Sequence, residues 1–212
     1  MLIKHLKSVS YLAVMICVSS AHGGTYEEFL GAIDRDDGGA VATLLKRGLD
    51  PNTRGPNGQP GLTLALQKPA PKVARVLLYA PGTDLDLANE NGESPLMMAA
   101  LKGDLDVARQ LLDRGAKVNR AGWGPLHYAA SGPSLPMLRL LLDRGATVDA
   151  PSPNETTALM MAARYGTEDA VAVLLERGAD PKRRNEKGLG CADFARLAGR
   201  EALTARLEAL QK

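Results

Sequence analysis

Apolar and polar positions along the chain return in the same order at a steady interval, and that return predicts the elements. Ser94-Pro95-Leu96-Met97-Met98-Ala99-Ala100, Gly124-Pro125-Leu126-His127-Tyr128-Ala129-Ala130 and Thr157-Ala158-Leu159-Met160-Met161-Ala162-Ala163 are one phrase in three spellings. Their leucines at 96, 126 and 159 stand 30 and 33 residues apart. Fifteen residues after each of them comes a leucine pair, Leu111-Leu112, Leu141-Leu142 or Leu174-Leu175. A glycine set between Arg and Ala then closes the unit, at Gly115, Gly145 and Gly178. A period in the low thirties means stacked repeats rather than one globular core.

The spelling of each unit predicts two helices. Ser94 and Thr157 suit a helix N-cap, where a side-chain oxygen accepts a backbone N–H. Pro95 and Pro125 suit the first turn, where a missing N–H costs nothing. The Ala-Ala pair keeps the first helix slim, and the second carries an apolar stripe at Val107, Ala108, Leu111 and Leu112 to face the next repeat. The closing glycine fits a left-handed cap, and Arg114, Arg144 and Arg177 put positive charge at the negative end of the helix dipole.

The same offsets recover weaker copies. Upstream they fall on Phe29, Leu44-Leu45 and Gly48, and again on Leu62 and Leu77-Leu78; downstream, Ala192, Asp193, Phe194 and Ala195 open a truncated unit. In the first copy the turn Asp36-Asp37-Gly38 and a polar outer face suit a terminal cap. In the second, Gln59-Pro60-Gly61-Leu62 starts a helix, Pro69 and Pro71 lie between the helices, and the second helix is expected to run one residue longer into Tyr79-Ala80-Pro81-Gly82. The segment from Val118 to Gly124 is about three residues short of its siblings, as the 30-residue spacing requires, so a notch is expected there. Residues 202–210 predict a closing amphipathic helix.

Gly-Pro-Leu-His-x-Ala-Ala followed by Leu-Leu-x-x-Gly-Ala-x-x-(Asn/Asp) resembles the ankyrin repeat, and the likeness covers residues 25–212. The resemblance implies an all-α ankyrin-repeat solenoid of about six stacked helix-turn-helix units joined by short β-turn fingers. The approximate units are 25–56, 57–90, 91–120, 121–152, 153–184 and 185–212, within a domain of residues 22–212. It also implies a concave face of fingers and first helices that binds proteins. A histidine at the His127 position bonds neighbouring backbone in such repeats, and a tryptophan ahead of the phrase, as Trp123 is here, packs within the finger.

Residues 1–21 read as an export signal rather than part of the fold. Lys4 and Lys7 precede a short apolar run from Val9 to Val18, and Ser19-Ser20-Ala21 offers small residues for cleavage after Ala21. The run is well short of the roughly 20 residues that span a bilayer core. Removing this stretch takes Lys4 and Lys7 from 26 basic residues and none of the 24 acidic ones, so the remainder is formally neutral. Neutrality disfavours nucleic acid, whose phosphates call for a clustered excess of Lys and Arg. Cys191 is then the only cysteine left, which excludes an internal disulfide; its place at a tightly packed helix start predicts burial.

Reactive constellations fail one by one. His127 has no nucleophile or carboxylate at a fixed spacing, so no triad is drawn. Asp34 to Gly39 starts like a calcium loop but puts Gly38 at a ligand position and Leu45 where the closing Glu belongs. There is no His-Glu-x-x-His and no Cys-x-x-Cys. Gly188-Leu189-Gly190 lacks both the third glycine and a preceding strand, and Asn154-Glu155-Thr156 is a weak glycosylation match inside a finger. No enzyme activity, cofactor or metal is therefore expected.

Register supplies a contact strip instead. Met98, Tyr128 and Met161 occupy equivalent first-helix positions, flanked by Leu101-Lys102 and Arg164-Tyr165, and residue types of this kind favour interfaces. Packing against adjacent first helices is the competing role for the row. Trp123 beside Arg120 in the shortened finger completes the expected partner-binding set. The basic run Lys182-Arg183-Arg184, with Lys187, belongs to the last finger as a solvated surface. The functional expectation is a non-catalytic, monomeric protein-binding scaffold in the periplasm or secreted after signal cleavage, with no nucleic-acid partner and no membrane contact beyond the export signal. The alternative is an inhibitor or immunity-type protein that neutralises one cognate toxin or enzyme.

Overall fold

Each repeated phrase becomes a first helix and each leucine pair a second, separated by short turns. The computed structural model describes residues 24–211, so the expected signal peptide and its cleavage position lie outside the described residues. Among the described residues there is no strand or sheet, and the fold is an all-α repeat solenoid. Two compact units divide the chain after Thr83.

The first unit holds α1 (24–34), α2 (Gly38–Lys46), a 3-10 turn (Pro56–Gly58), α3 (Gly61–Gln67) and α4 (Pro71–Tyr79). Phe29, Ile33, Val41, Leu44, Leu62, Val73 and Leu77 form its buried interior. In the acidic turn between α1 and α2 two carboxylates serve as helix caps. Asp37 accepts from the Ala40 N–H at 2.9 Å, and Asp36 reaches α4, accepting from Lys72 and Val73 N–H at 2.8 and 3.0 Å. The expected lengthening of the fourth helix is corrected: α4 has 9 residues, as α2 does, and stops at Tyr79. The extra residue is taken up in the turn, where Ala80 is extended with ψ 137° and Pro81 follows; a residue before proline is pushed out of the helical region.

The second unit holds α5 (Pro95–Lys102), α6 (Leu105–Asp113), α7 (Pro125–Ser131), α8 (Leu135–Asp143), α9 (Ala158–Tyr165), α10 (Glu168–Glu176), α11 (Cys191–Leu197) and α12 (Glu201–Ala209). Ser94 and Thr157 cap α5 and α9 as their spelling predicts. Asp104, Ser134 and Thr167 do the same for the second helices α6, α8 and α10. These three end at Arg114, Arg144 and Arg177, and Gly115, Gly145 and Gly178 turn the chain with φ of 92°, 85° and 87°, a region that strongly favours glycine.

First helices α5, α7, α9 and α11 pack side by side, and each second helix lies on its own first. The Ala pairs 99–100, 129–130 and 162–163 are all buried, which lets these helices approach closely. The first leucine of each pair, Leu111, Leu141 or Leu174, is fully buried. Truncating any one of them to Ala removes about 2–5 kcal/mol. Hydrogen bonds tie successive repeats along the finger bases. Asp86 accepts from the Lys117 N–H at 2.9 Å, Asn119 from Thr147 at 2.9 Å, and Asp149 from Asp180 at 3.1 Å.

Candidate functional site

The fingers set the site because each is closed by its own side chains. Asn89 accepts from Asn91 and Glu93 N–H, Asn185 from Lys187 and Leu189, and the Ser152 hydroxyl from Thr156. Backbone bonds Asn89 N–H to Glu93 O, Ser152 N–H to Thr156 O and Asn185 N–H to Leu189 O close the same turns. The short finger is held differently. The Gly124 N–H donates to His127 Nδ1 at 3.1 Å, which leaves Nε2 to carry the proton and donate to Thr156 O at 3.0 Å. His127 thus ties its own finger to the next one, and burial pushes its pKa below the usual histidine value. Trp123 stands edge-on to this imidazole, with centroids 5.2 Å apart and planes at 75°.

Two neighbouring pockets open along this line. One, of about 270 Å³, is lined by Leu101, Trp123, His127, Tyr128, Ser131 and Met161. The other, of about 280 Å³, has among its walls Trp123, Met161, Arg164, Tyr165, Lys187 and Phe194. Trp123 and Met161 line both, so the pockets meet beside the shortened finger where a notch was expected. Together they make one groove across α5, α7, α9, α11 and the fingers between them.

Most of the residues expected at a contact strip line this groove: Leu101, Trp123, Tyr128, Met161, Arg164 and Tyr165. Leu101 and Tyr165 are 44% and 56% exposed, and the Arg164 guanidinium lies 5.0 Å from the centre of the Tyr165 ring. Lys102 is exposed outside both pockets, and Arg120 is half-buried close enough to act electrostatically on Tyr128. Met98 is corrected: it is 4% exposed and belongs to the interior. Its neighbour α7 packs along α5 and sends the Tyr128 hydroxyl back to Glu93, just ahead of α5, at 3.0 Å. A flexible thioether fills such enclosed space readily.

Glu93 was not singled out from the sequence, yet it orients the groove. One of its carboxylate oxygens takes the Tyr128 hydroxyl and the other takes Asn89 Nδ2 at 2.8 Å. Burial and the Glu93 charge push the Tyr128 phenol up to about 12, so it stays a hydrogen-bond donor at any neutral pH. Phe194 and Leu197 from the last repeat were also missed; Leu197 is 58% exposed beside the second pocket. They sit at the register positions of Met161 and Arg164, so the repeat offsets carried that signal.

The arrangement presents an open groove with exposed apolar and aromatic side chains on its walls. His127 spends both nitrogens on backbone partners. Cys191 is buried, contacts Pro181 O and Gln211, and burial raises its thiol pKa. Among the described residues no group of three or more His, Cys, Asp or Glu side chains is placed to hold a metal ion, and no helix is long and apolar enough to cross a membrane.

Comparison with known proteins agrees with this architecture. Transient receptor potential cation channel subfamily A member 1 of Homo sapiens is 33% identical over 86 residues, 41% of this chain and 8% of that protein. Protein fem-1 homolog A-like of Mus musculus is 51% identical over 37 residues, 18% of this chain and 6% of that protein. The chain therefore matches less than a tenth of the length of either relative. A family model described as ankyrin repeats, in three copies, matches residues 29–121 and again 118–185, most of the chain. With the helix pairs, the glycine caps and the His127 bond pattern in place, the chain belongs to the ankyrin-repeat family.

Proposed function

We propose that this chain is a non-catalytic binding protein that grips a partner protein in the groove of its second unit. Ankyrin repeats generally mediate protein–protein interaction, and the observation that carries the reading is the continuous groove with exposed Leu101 and Tyr165 on its walls. Exposed apolar and aromatic side chains around a preformed cleft are what a partner's anchor residues need. The leader-like residues 1–21 support export of a bacterial-type chain to the periplasm, with cleavage after Ala21.

The test uses the full chain as bait in periplasmic extract, beside the variants Leu101→Arg and Tyr165→Ala. Both positions are exposed, so these changes shift folding stability by no more than about 0.5 kcal/mol. A discrete partner retained by the parent chain and lost with either variant is the expected result. The same partners on all three baits, or none on any, would overturn the reading. Mass measurement of the chain recovered from that compartment, beginning at residue 22, tests export separately.

A further inference from the structure

Charge is distributed unevenly along the groove. No charged side chain lines the first pocket. The second carries the two cations Arg164 and Lys187 and no carboxylate. Among the described residues six cations, Lys68, Arg144, Arg177, Arg184, Arg196 and Arg206, each meet an Asp or Glu. Arg164 and Lys187 enter no such ion pair, and Arg164 is spread over the Tyr165 ring instead. Glu93, the carboxylate that meets Tyr128 of the first pocket, is already held by Tyr128 and Asn89.

We infer that the groove's occupant is an acidic peptide segment of the partner protein, with an apolar or aromatic side chain in the first pocket and an Asp or Glu carboxylate against Arg164 and Lys187. This rests on the protein-binding reading above and adds the chemistry of the bound segment. Two cations without carboxylate partners beside an exposed aromatic ring are complementary to such a group. A guanidinium already stacked on a ring keeps its edge N–H donors available for a carboxylate. Because the pockets share Trp123 and Met161, one continuous segment can reach both. A net charge of only +2 over 212 residues makes this a local preference rather than a general attraction to acidic proteins.

The experiment selects a phage-displayed library of random peptides against the full chain, then titrates the enriched peptides by the fluorescence of Trp123, the only tryptophan. Enrichment of sequences pairing Asp or Glu with Leu, Ile or an aromatic is expected. Arg164→Glu and Lys187→Glu should each weaken their binding about tenfold or more, added salt should weaken it further, and unfolding midpoints should stay unchanged. Peptides with the acid replaced by Lys should regain affinity for the double Glu variant, which a merely structural effect of the substitutions would not produce. Peptides that lose binding with Leu101→Arg but carry no acid, or ignore the charge reversals, overturn this inference and leave the groove as a binding site. Enriched peptides indifferent to Leu101→Arg and Tyr165→Ala overturn both. Self-association in sedimentation that Leu101→Arg abolishes would put a second copy of the chain in the groove and likewise overturn the inference.

Discussion

Glu155 holds φ at 60° at the finger corner where the sibling fingers have Gly92 at 77° and Gly188 at 73°. A side chain in that region costs about 1–2 kcal/mol, part of which glycine gives back through its freer unfolded state. Glu155→Gly is therefore expected to raise stability by about 0.5–1 kcal/mol, read as a higher urea midpoint at unchanged slope. Asp193 illustrates the opposite case of a residue well fitted to its place. The Gly190 N–H bond at 2.9 Å holds its carboxyl below the usual carboxylate pKa, helped by Arg196 and Arg184, while partial burial opposes them. A carboxyl depressed in the folded state contributes stability above its unfolded pKa of about 3.9, and that contribution is lost as pH falls through the lower folded value. Denaturation midpoints followed from pH 6 down to about pH 2 should show an acid-dependent loss in the parent chain that is smaller in Asp193→Asn. An equal loss in both would contradict the assignment. Asp193 stands at the register position of His127, so carboxylate and imidazole serve the same finger-closing bond in different repeats.

At the level of elements, close approach of first helices is what the repeat spelling secures. The tightest point is Gly166, where an added Cβ would lie 2.2 Å from Ala130 O and 2.9 Å from Ala162 Cα. Its φ and ψ of −86° and −176° are open to any residue, so the constraint is space alone. Gly166→Ala should destabilise by about 1–3 kcal/mol through overpacking of α9 on α7, seen in thermal or urea unfolding; an unchanged midpoint would mean the two helices sit farther apart. Much of this element scale was legible beforehand, because the caps, the leucine pairs and the closing glycines repeat the same local physics at fixed offsets. What escaped was the set of single contacts between repeats. Asp36 caps α4 from 36 residues away, Arg200 binds three carbonyls at the end of α9, one of them 38 residues away, and Glu93 meets Tyr128 across 35. None of these recurs as a pattern, so periodicity had nothing to register. Met98 escaped for a related reason: register shows which face of a helix a residue occupies but not what the neighbouring helix lays over it.

Across the molecule, the second unit combines a rigid frame with a groove whose walls come from several repeats. The frame is the row of packed first helices with a finger-base bond at each interval, and the groove is what remains between α5, α7, α9, α11 and their fingers. Specificity would lie in side chains that the stack itself does not use, such as Leu101, Tyr165 and Arg164, while His127 and Trp123 hold the finger they stand on. The central claim is that a partner protein contacts this groove and not the outer helices. Site-specific photocrosslinking in the cell that makes the chain tests it most directly, with a benzophenone side chain placed at Met161 in the groove or at exposed Arg109 on α6. A discrete crosslinked protein from position 161, absent from position 109 and suppressed by Leu101→Arg, is the predicted result. Identical products from both positions, or crosslinks from 109 alone, would contradict the account.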